Sequence, residues 1–237
     1  MPAEDETGLK IDNTIKQKQG NFLVFVFYKL KYSNCLMNAI EKPRLIFATN
    51  NKHKFEEIRH VIGDKVKLLN LENIGFKGEI PEEHDTLEGN AAQKAFHIFN
   101  QYGINCIADD TGLEIEALQG EPGVFSARYA GENCTFEDNM NKVLRKMLGK
   151  TNRKARFRTV IALVENGHLT VFQGEIKGEI LAEKRGLKGF GYDPIFKPDG
   201  YDQTFAEMSL ADKNRISHRA LAIYELLQYF AQTPVKP

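Results

Sequence analysis

The chain is short of cysteine, of net charge and of long apolar runs, and each shortage closes off a class of protein. Its three cysteines, Cys35, Cys106 and Cys134, are odd in number and none is in CxxC spacing. That argues against a disulfide framework or a cysteine zinc site and suits reduced thiols, so a cytoplasmic location is expected. The six scattered histidines form no HExxH pattern. Thirty-two basic side chains balance thirty-two acidic ones, so neither nucleic acid nor a membrane is an expected partner on the basis of overall charge. The longest apolar run near the start, residues 22–28, is far shorter than the roughly 20 residues a membrane span needs. The polar stretch before it, with Glu4, Asp5, Glu6 and Asp12, lacks the basic start of a secretory signal. There is no internal repeat, no GxxxxGK[ST] loop, and no GxGxxG following a strand.

What is present is ordinary globular composition, 42% hydrophobic and 27% charged over 237 residues, enough for one large domain or two small lobes. Residues 1–42 read as an N-terminal extension and 43–233 as the folded domain; the apolar patch in the extension is either an added strand or, the favoured reading, part of a stretch upstream of a natural start at Met37. From residue 44 the pattern is α/β. Apolar runs predict strands over 45–48, 66–71 and 105–108, the last ending in a Thr-Gly turn, with 113–118 continuing as a strand. Helices are expected over 54–62, 87–102 and from Thr135 to about 148, the last opened by a Thr135–Asp138 capping box. Asn166-Gly167 between two β-rich runs predicts a hairpin. A final helix over about 217–230 should turn Leu221, Tyr224, Leu227 and Ala231 inward.

The adjacent carboxylates of Ile107-Ala108-Asp109-Asp110-Thr111-Gly112-Leu113 carry the most information. Like charges repel, and folding alone gives little reason to place two at the end of a buried strand. A divalent metal or a proton-transfer task supplies one. Five other clusters add to it. Thr49-Asn50-Asn51-Lys52-His53-Lys54, between a strand and a helix, suits a phosphate cradle. Glu82-Glu83-His84-Asp85 precedes a helix on which Asn90 and Lys94 share a face. Ser126-Ala127-Arg128-Tyr129 suits an anion-binding loop. Gly189-Phe190-Gly191-Tyr192-Asp193 offers backbone approach and aromatic stacking, and Lys213 with His218-Arg219 adds donors near a helix start.

In this order, the runs Ala-Asp-Asp-Thr-Gly-Leu, Ser-Ala-Arg-Tyr-Ala-Gly, Gly-Phe-Gly-Tyr-Asp-Pro and Ser-His-Arg resemble the inosine triphosphate pyrophosphatase family, over about residues 45–230. The resemblance implies an α/β fold: an elongated mixed β-sheet flanked by helices, in two lobes with a central nucleotide-binding cleft. It implies a homodimer and a Mg2+-dependent cleavage of ITP, dITP or XTP between the α and β phosphorus atoms, giving monophosphate and pyrophosphate. By motif, Thr49, Asn51 and Lys54 hold phosphate, with Asn50, Lys52 and His53 in the same loop. Lys94 faces the triphosphate as a catalytic residue. Asp110 is proton acceptor and metal ligand, and Glu82 is its metal partner. Phe190, Gly191, Tyr192 and Asp193 hold the base, and Lys213, His218 and Arg219 complete the pocket. Thr111 stands where the family more often has Ser, and its hydroxyl keeps the contact. Two rivals are a related pyrophosphatase acting on modified pyrimidines or methylated bases, and a nucleotide sensor without hydrolysis.

Overall fold

The computed structural model describes Lys42 and residues 44–232. The expectations for residues 1–41, including a start at Met37, lie outside the described residues. Strand β1 (Arg44–Phe47) leads through Asn51 into helix α1 (Lys52–Ile62), and the Asn51 side chain caps that helix by accepting from the His53 and Lys54 backbone N–H groups. β2 (Lys67–Leu69) follows, then α2 (Leu87–Tyr102), capped by Thr86 and closed by Gly103. After these come β3 (Cys106–Ile115), the short β4 (Pro122–Gly123) and α3 (Phe136–Lys146), opened by the expected capping box. β5 (Lys154–Glu165) and β6 (His168–Ile180) form the hairpin, with positive φ at both Asn166 and Gly167. β7 (Phe196–Pro198), α4 (Leu210–Ile216) and α5 (His218–Gln232) complete the chain. The sheet runs β2-β1-β3-β5-β6-β7, with β4 also on β3. β1 is parallel to both its neighbours and every other pairing is antiparallel.

The expected break after Ala108 does not occur. β3 is one strand of ten residues because β5 offers an unbroken ladder beside it, from Cys106 opposite Val164 to Ile115 opposite Ala155. On its other edge, β1 pairs only as far as Ile107 and β4 begins at Leu113. Asp109, Asp110 and Thr111 fall in that gap. Side chains alternate along a strand, so the two aspartates leave on opposite faces. Ile107 shares the Asp109 face, packed with Ile58 and Ile62 of α1 and Ala222, Ile223 and Leu226 of α5. Cys106 and Ala108 share the Asp110 face, packed with Ala91, Ala95 and Ile98 of α2. A third apolar cluster joins Leu113, Ile115, Phe157 and Phe196 to Met140 and Val143 of α3. It makes the second lobe, built on the far ends of the same long strands.

The inward stripe of α5 differs from expectation. Ala222, Ile223 and Leu226 are buried, Leu221, Tyr224 and Leu227 are partly buried, and Ala231 is exposed. The first turn lies so close to the sheet that it sets the rotation of the whole helix. A Cβ at Gly174 of β6 would meet the His218 carbonyl oxygen at 2.1 Å, so only glycine admits this contact.

Candidate active site

The gap in β3 opens onto a cleft of about 290 Å³ between the lobes. On the α2 side, Asp110 is 6% exposed. Its Oδ2 accepts from Asn90 Nδ2 at 3.2 Å, and Lys94 Nζ lies 3.6 Å from its Oδ1. Lys94 makes its short bond, 2.5 Å, to Glu82 Oε1 instead. The acidic strap that carries Glu82 is tied to α2. Asn90 Oδ1 accepts from the His84 backbone N–H at 2.9 Å, and Gln93 Oε1 accepts from that of Glu83 at 3.0 Å. Arg128 Nη1 lies 3.6 Å from Glu82 Oε2, which brings the Ser-Ala-Arg-Tyr loop to the same edge. Burial pushes the Asp110 carboxyl up, with Glu82 and Asp109 adding to it against Lys94 and Lys54. Burial also acts to raise Glu82, but the charge and hydrogen bond of Lys94 together with the charge of Lys54 hold that carboxyl low. One lysine between two carboxylates leaves Asp110 the less satisfied of the pair.

The α5 side is closed. Asp109 is 1% exposed. Arg219 Nε donates to its Oδ2 at 3.2 Å, and Lys54 Nζ lies 3.2 Å from its Oδ1. Arg219 also donates through Nη1 to Glu57 and through Nη2 to Thr111 Oγ1 at 3.2 Å. Glu57 Oε1 accepts from Lys213 Nζ at 2.7 Å, and Lys213 donates on to Asp193 Oδ2 at 2.6 Å. Asp193, Lys213, Glu57, Arg219, Asp109 and Lys54 thus form a buried file of alternating sign. Burial acts to raise Asp109, but the Lys54 and Arg219 charges outweigh it and hold the carboxyl at about 2. Glu57 is held low in the same way by Arg219 and Lys213, again against burial. Desolvation, with Arg219 and Lys213 nearby, holds His218 well below the usual histidine range. Its imidazole is therefore neutral, and its buried Nδ1 has no partner among the described residues.

Thr49, Asn50, Asn51, Lys54, Glu82, Lys94, Asp110 and Thr111 all line the cleft. So do Phe190, Gly191, Tyr192, Asp193, Lys213, His218 and Arg219. Lys52 and His53 do not: both are exposed, and the His53 ring instead stacks on Phe190. Two lining groups have local duties as well. Thr49 Oγ1 accepts from the Asn51 N–H at 3.1 Å, and Tyr192 Oη donates to the Ser126 carbonyl at 2.8 Å. Residues missed in the sequence are Glu57 and Asn139. Asn139, buried on α3, accepts from the Ala130 N–H at 2.7 Å and donates to the Ala127 carbonyl at 3.1 Å, which fixes the Ser-Ala-Arg-Tyr loop. Glu57 sits beside Ile58 on the inward face of α1, and that position was its one available signal.

A cleft with carboxylates and lysines at one end and an aromatic ring near cations at the other is the arrangement of an enzyme for a small, highly charged molecule with a flat ring. The sequence profile of the Ham1 family matches residues 45–229, and the chain belongs to that family. It is 50% identical over 190 residues to the dITP/XTP pyrophosphatase of Flavobacterium johnsoniae, covering 80% of this chain and 99% of that one. It is 51% identical to the dITP/XTP pyrophosphatase of Porphyromonas gingivalis, covering 78% and 96%. The structure of a HAM1 protein from Coxiella burnetii matches with a TM-score of 0.75 at 37% identity, covering 81% of this chain and 100% of that one. That of the Staphylococcus aureus Ham1 protein matches with a TM-score of 0.72 at 38% identity, covering 79% and 98%.

Proposed function

We propose that the chain hydrolyses deaminated purine nucleoside triphosphates, ITP, dITP and XTP, to the monophosphate and pyrophosphate, and so removes them from the nucleotide pool. The observation that carries this reading is one cleft with a carboxylate–lysine end and an aromatic end, in a chain of the Ham1 family. The triphosphate lies toward Lys54, Lys94 and the N-terminus of α1, whose first turn holds no acidic residue. Thr49, Asn50 and Asn51 add donors there.

Asp110 takes the proton of the attacking water. Its carboxyl is raised by burial, which makes it a better base than an ordinary aspartate. Glu82 and Asp110 fit a magnesium ion, because two carboxylates already share a single ammonium group. This ion takes one or two carboxylates together with substrate phosphate oxygens, and does not need a full protein cage. When bound, it offsets phosphate charge and lowers the pKa of a coordinated water. Lys94 then faces the phosphates in place of its carboxylate partners.

At the other end the base stacks on Phe190, near Gly191, Tyr192 and Asp193. A neutral imidazole carries one N–H, so His218, which lines the cleft, can donate to the 6-oxo oxygen of hypoxanthine or xanthine, where the 6-amino group of adenine would clash donor to donor. Arg219 and Lys213 support the pocket through the buried ionic file. The same reading carries a homodimer in the cytoplasm, with no nucleic acid partner. Among the described residues, no helix is long and apolar enough to cross a membrane. Pyrophosphate release from ITP, XTP, GTP, ATP and dUTP, with and without magnesium, tests the proposal. Magnesium-dependent release from ITP and XTP is expected. Preference for ATP, or for dUTP, overturns it.

A further inference from the structure

His53 lies in the first turn of α1, next to the polar run Thr49 to Lys54, yet its ring turns away from the cleft that the rest of that run lines. Its imidazole stacks on Phe190, with ring centroids 5.1 Å apart and planes inclined by 13°. Phe136, the first residue of α3, completes the group, at 5.9 Å from Phe190 and 6.4 Å from His53. Three rings from three separate segments therefore meet at one edge of the cleft: His53 from the first lobe, Phe136 from the second, and Phe190 from the loop between β6 and β7. Phe190 and Phe136 line the cleft and His53 does not. The imidazole thus backs the Phe190 ring from outside. The loop is tied at its backbone, where the Phe190 N–H donates to Asp193 Oδ2 at 2.9 Å and the Lys188 N–H to the Ala206 carbonyl at 3.0 Å, and the Lys213 and Arg219 cations lie 5.2 and 5.7 Å from the ring centroid; the outer side of the ring is left to the imidazole. Gly189 and Gly191 flank the ring, both at positive φ, and Lys188 and Gly189 are exposed.

We infer that His53 is a positioning residue for the nucleobase: it backs Phe190 so that the ring presents a fixed platform to a purine entering from the cleft. This rests on the proposed reading of the cleft as a purine nucleotide site, and it moves His53 from the phosphate end to the base end. The role is one of shape. A flat ring at residue 53 serves it, whether or not that ring carries a nitrogen. Loss of one stacked pair changes affinity by about fivefold, within the range such pairs contribute.

The test compares His53→Ala and His53→Phe with the wild type in ITP hydrolysis and in inhibition by inorganic tripolyphosphate, which has no base. His53→Ala should raise KM for ITP by about fivefold with kcat within about twofold, as expected when ground-state and transition-state binding are lost together. His53→Phe should restore KM, and tripolyphosphate inhibition should be the same in all three proteins. An active wild type whose KM is unmoved by His53→Ala overturns this inference alone. Weakened tripolyphosphate inhibition in both variants also overturns it, by returning His53 to the phosphate end. A wild type that releases no pyrophosphate from ITP overturns the reading of the reaction, and this inference with it.

Discussion

The two faces of β3 at the cleft carry the same side chain in adjacent positions and put it to opposite use. On the α5 face, Asp109 is locked between Arg219 and Lys54, and its carboxyl is held at about 2. On the α2 face, Asp110 has a neutral amide at 3.2 Å and only a distant share of one lysine, and burial pushes its carboxyl up. A buried carboxylate with full counter-charge is a structural brace. One that is short of counter-charge is available for a proton or a metal ion. The pleat of one strand, which sends neighbours to opposite sides, is enough to divide these roles.

The comparison breaks most sharply under substitution of each aspartate in turn. Asp110→Asn should lower turnover by about 10²- to 10⁴-fold, the range for losing a general base, while binding of IMP stays close to wild type. Near-native pyrophosphate release in that variant would sink the assignment of Asp110. Asp109→Ala should instead cost about 3 kcal/mol of stability, because the buried Arg219 keeps only Glu57 as a carboxylate partner and the half-buried Lys54 loses its own. Urea unfolding measures this, and an unchanged midpoint would refute the brace.

Packing on the α5 face offers a smaller test. Gly174→Ala drives a methyl group into the His218 carbonyl, and overpacking of this kind costs about 1–3 kcal/mol. The variant should also raise KM for ITP, since His218 and Arg219 open the displaced helix. A lowered urea midpoint with KM intact would show that α5 can shift without disturbing the base pocket.

Acid titration sharpens the comparison further. The folded pKa of Asp109 lies below the ordinary 3.8. Its contribution is therefore fully present above that value and is lost as pH falls toward 2, amounting to about 2 kcal/mol over the window. Asp110 has the opposite sign. Its folded pKa is raised, so stability falls as pH rises through the ordinary carboxylate range and the group is forced to ionise. At neutral pH, Asp110→Asn should unfold at a urea concentration equal to or higher than wild type, and a clear destabilisation there would contradict the burden assigned to Asp110. The smallest effect belongs to the start of α3, which bonds to neither aspartate. Thr135→Ala removes the α3 capping box at a cost of about 1 kcal/mol, and kcat for ITP should not change.

Much of this was legible along the chain, for reasons that can be named. α2 could be placed because Ala91, Ala95 and Ile98 repeat at helical spacing between Thr86 and Gly103, and the hairpin because Asn166-Gly167 suits positive φ at both positions. The phosphate-side and base-side residues were legible as short polar runs next to predicted element ends. α4 and β7 were not: seven and three residues are too few to show a period. The Asp-Asp pair was read as the end of a strand because polar residues usually mark one. Nothing local to it reveals that β5 runs alongside for ten residues. Glu57 was missed because its partners lie 156 and 162 positions away. The apolar stripe of α5 was misjudged because Gly174, on another strand, sets the rotation of that helix.

By itself the sequence determined the kinds of chemistry on offer, the order of the longer strands and helices, and the family resemblance. Those follow from side-chain type and from spacing along one chain, and both are local. The tertiary structure alone decided which aspartate is braced and which faces the cleft, that the His53 ring stacks on Phe190 outside the cleft, and that an ionic file runs from Asp193 to Lys54. Each of these depends on which face of β3 a helix covers and on how closely α5 approaches β6. Such contacts join residues far apart in sequence, and their strength comes from burial that exists only once the lobes have packed.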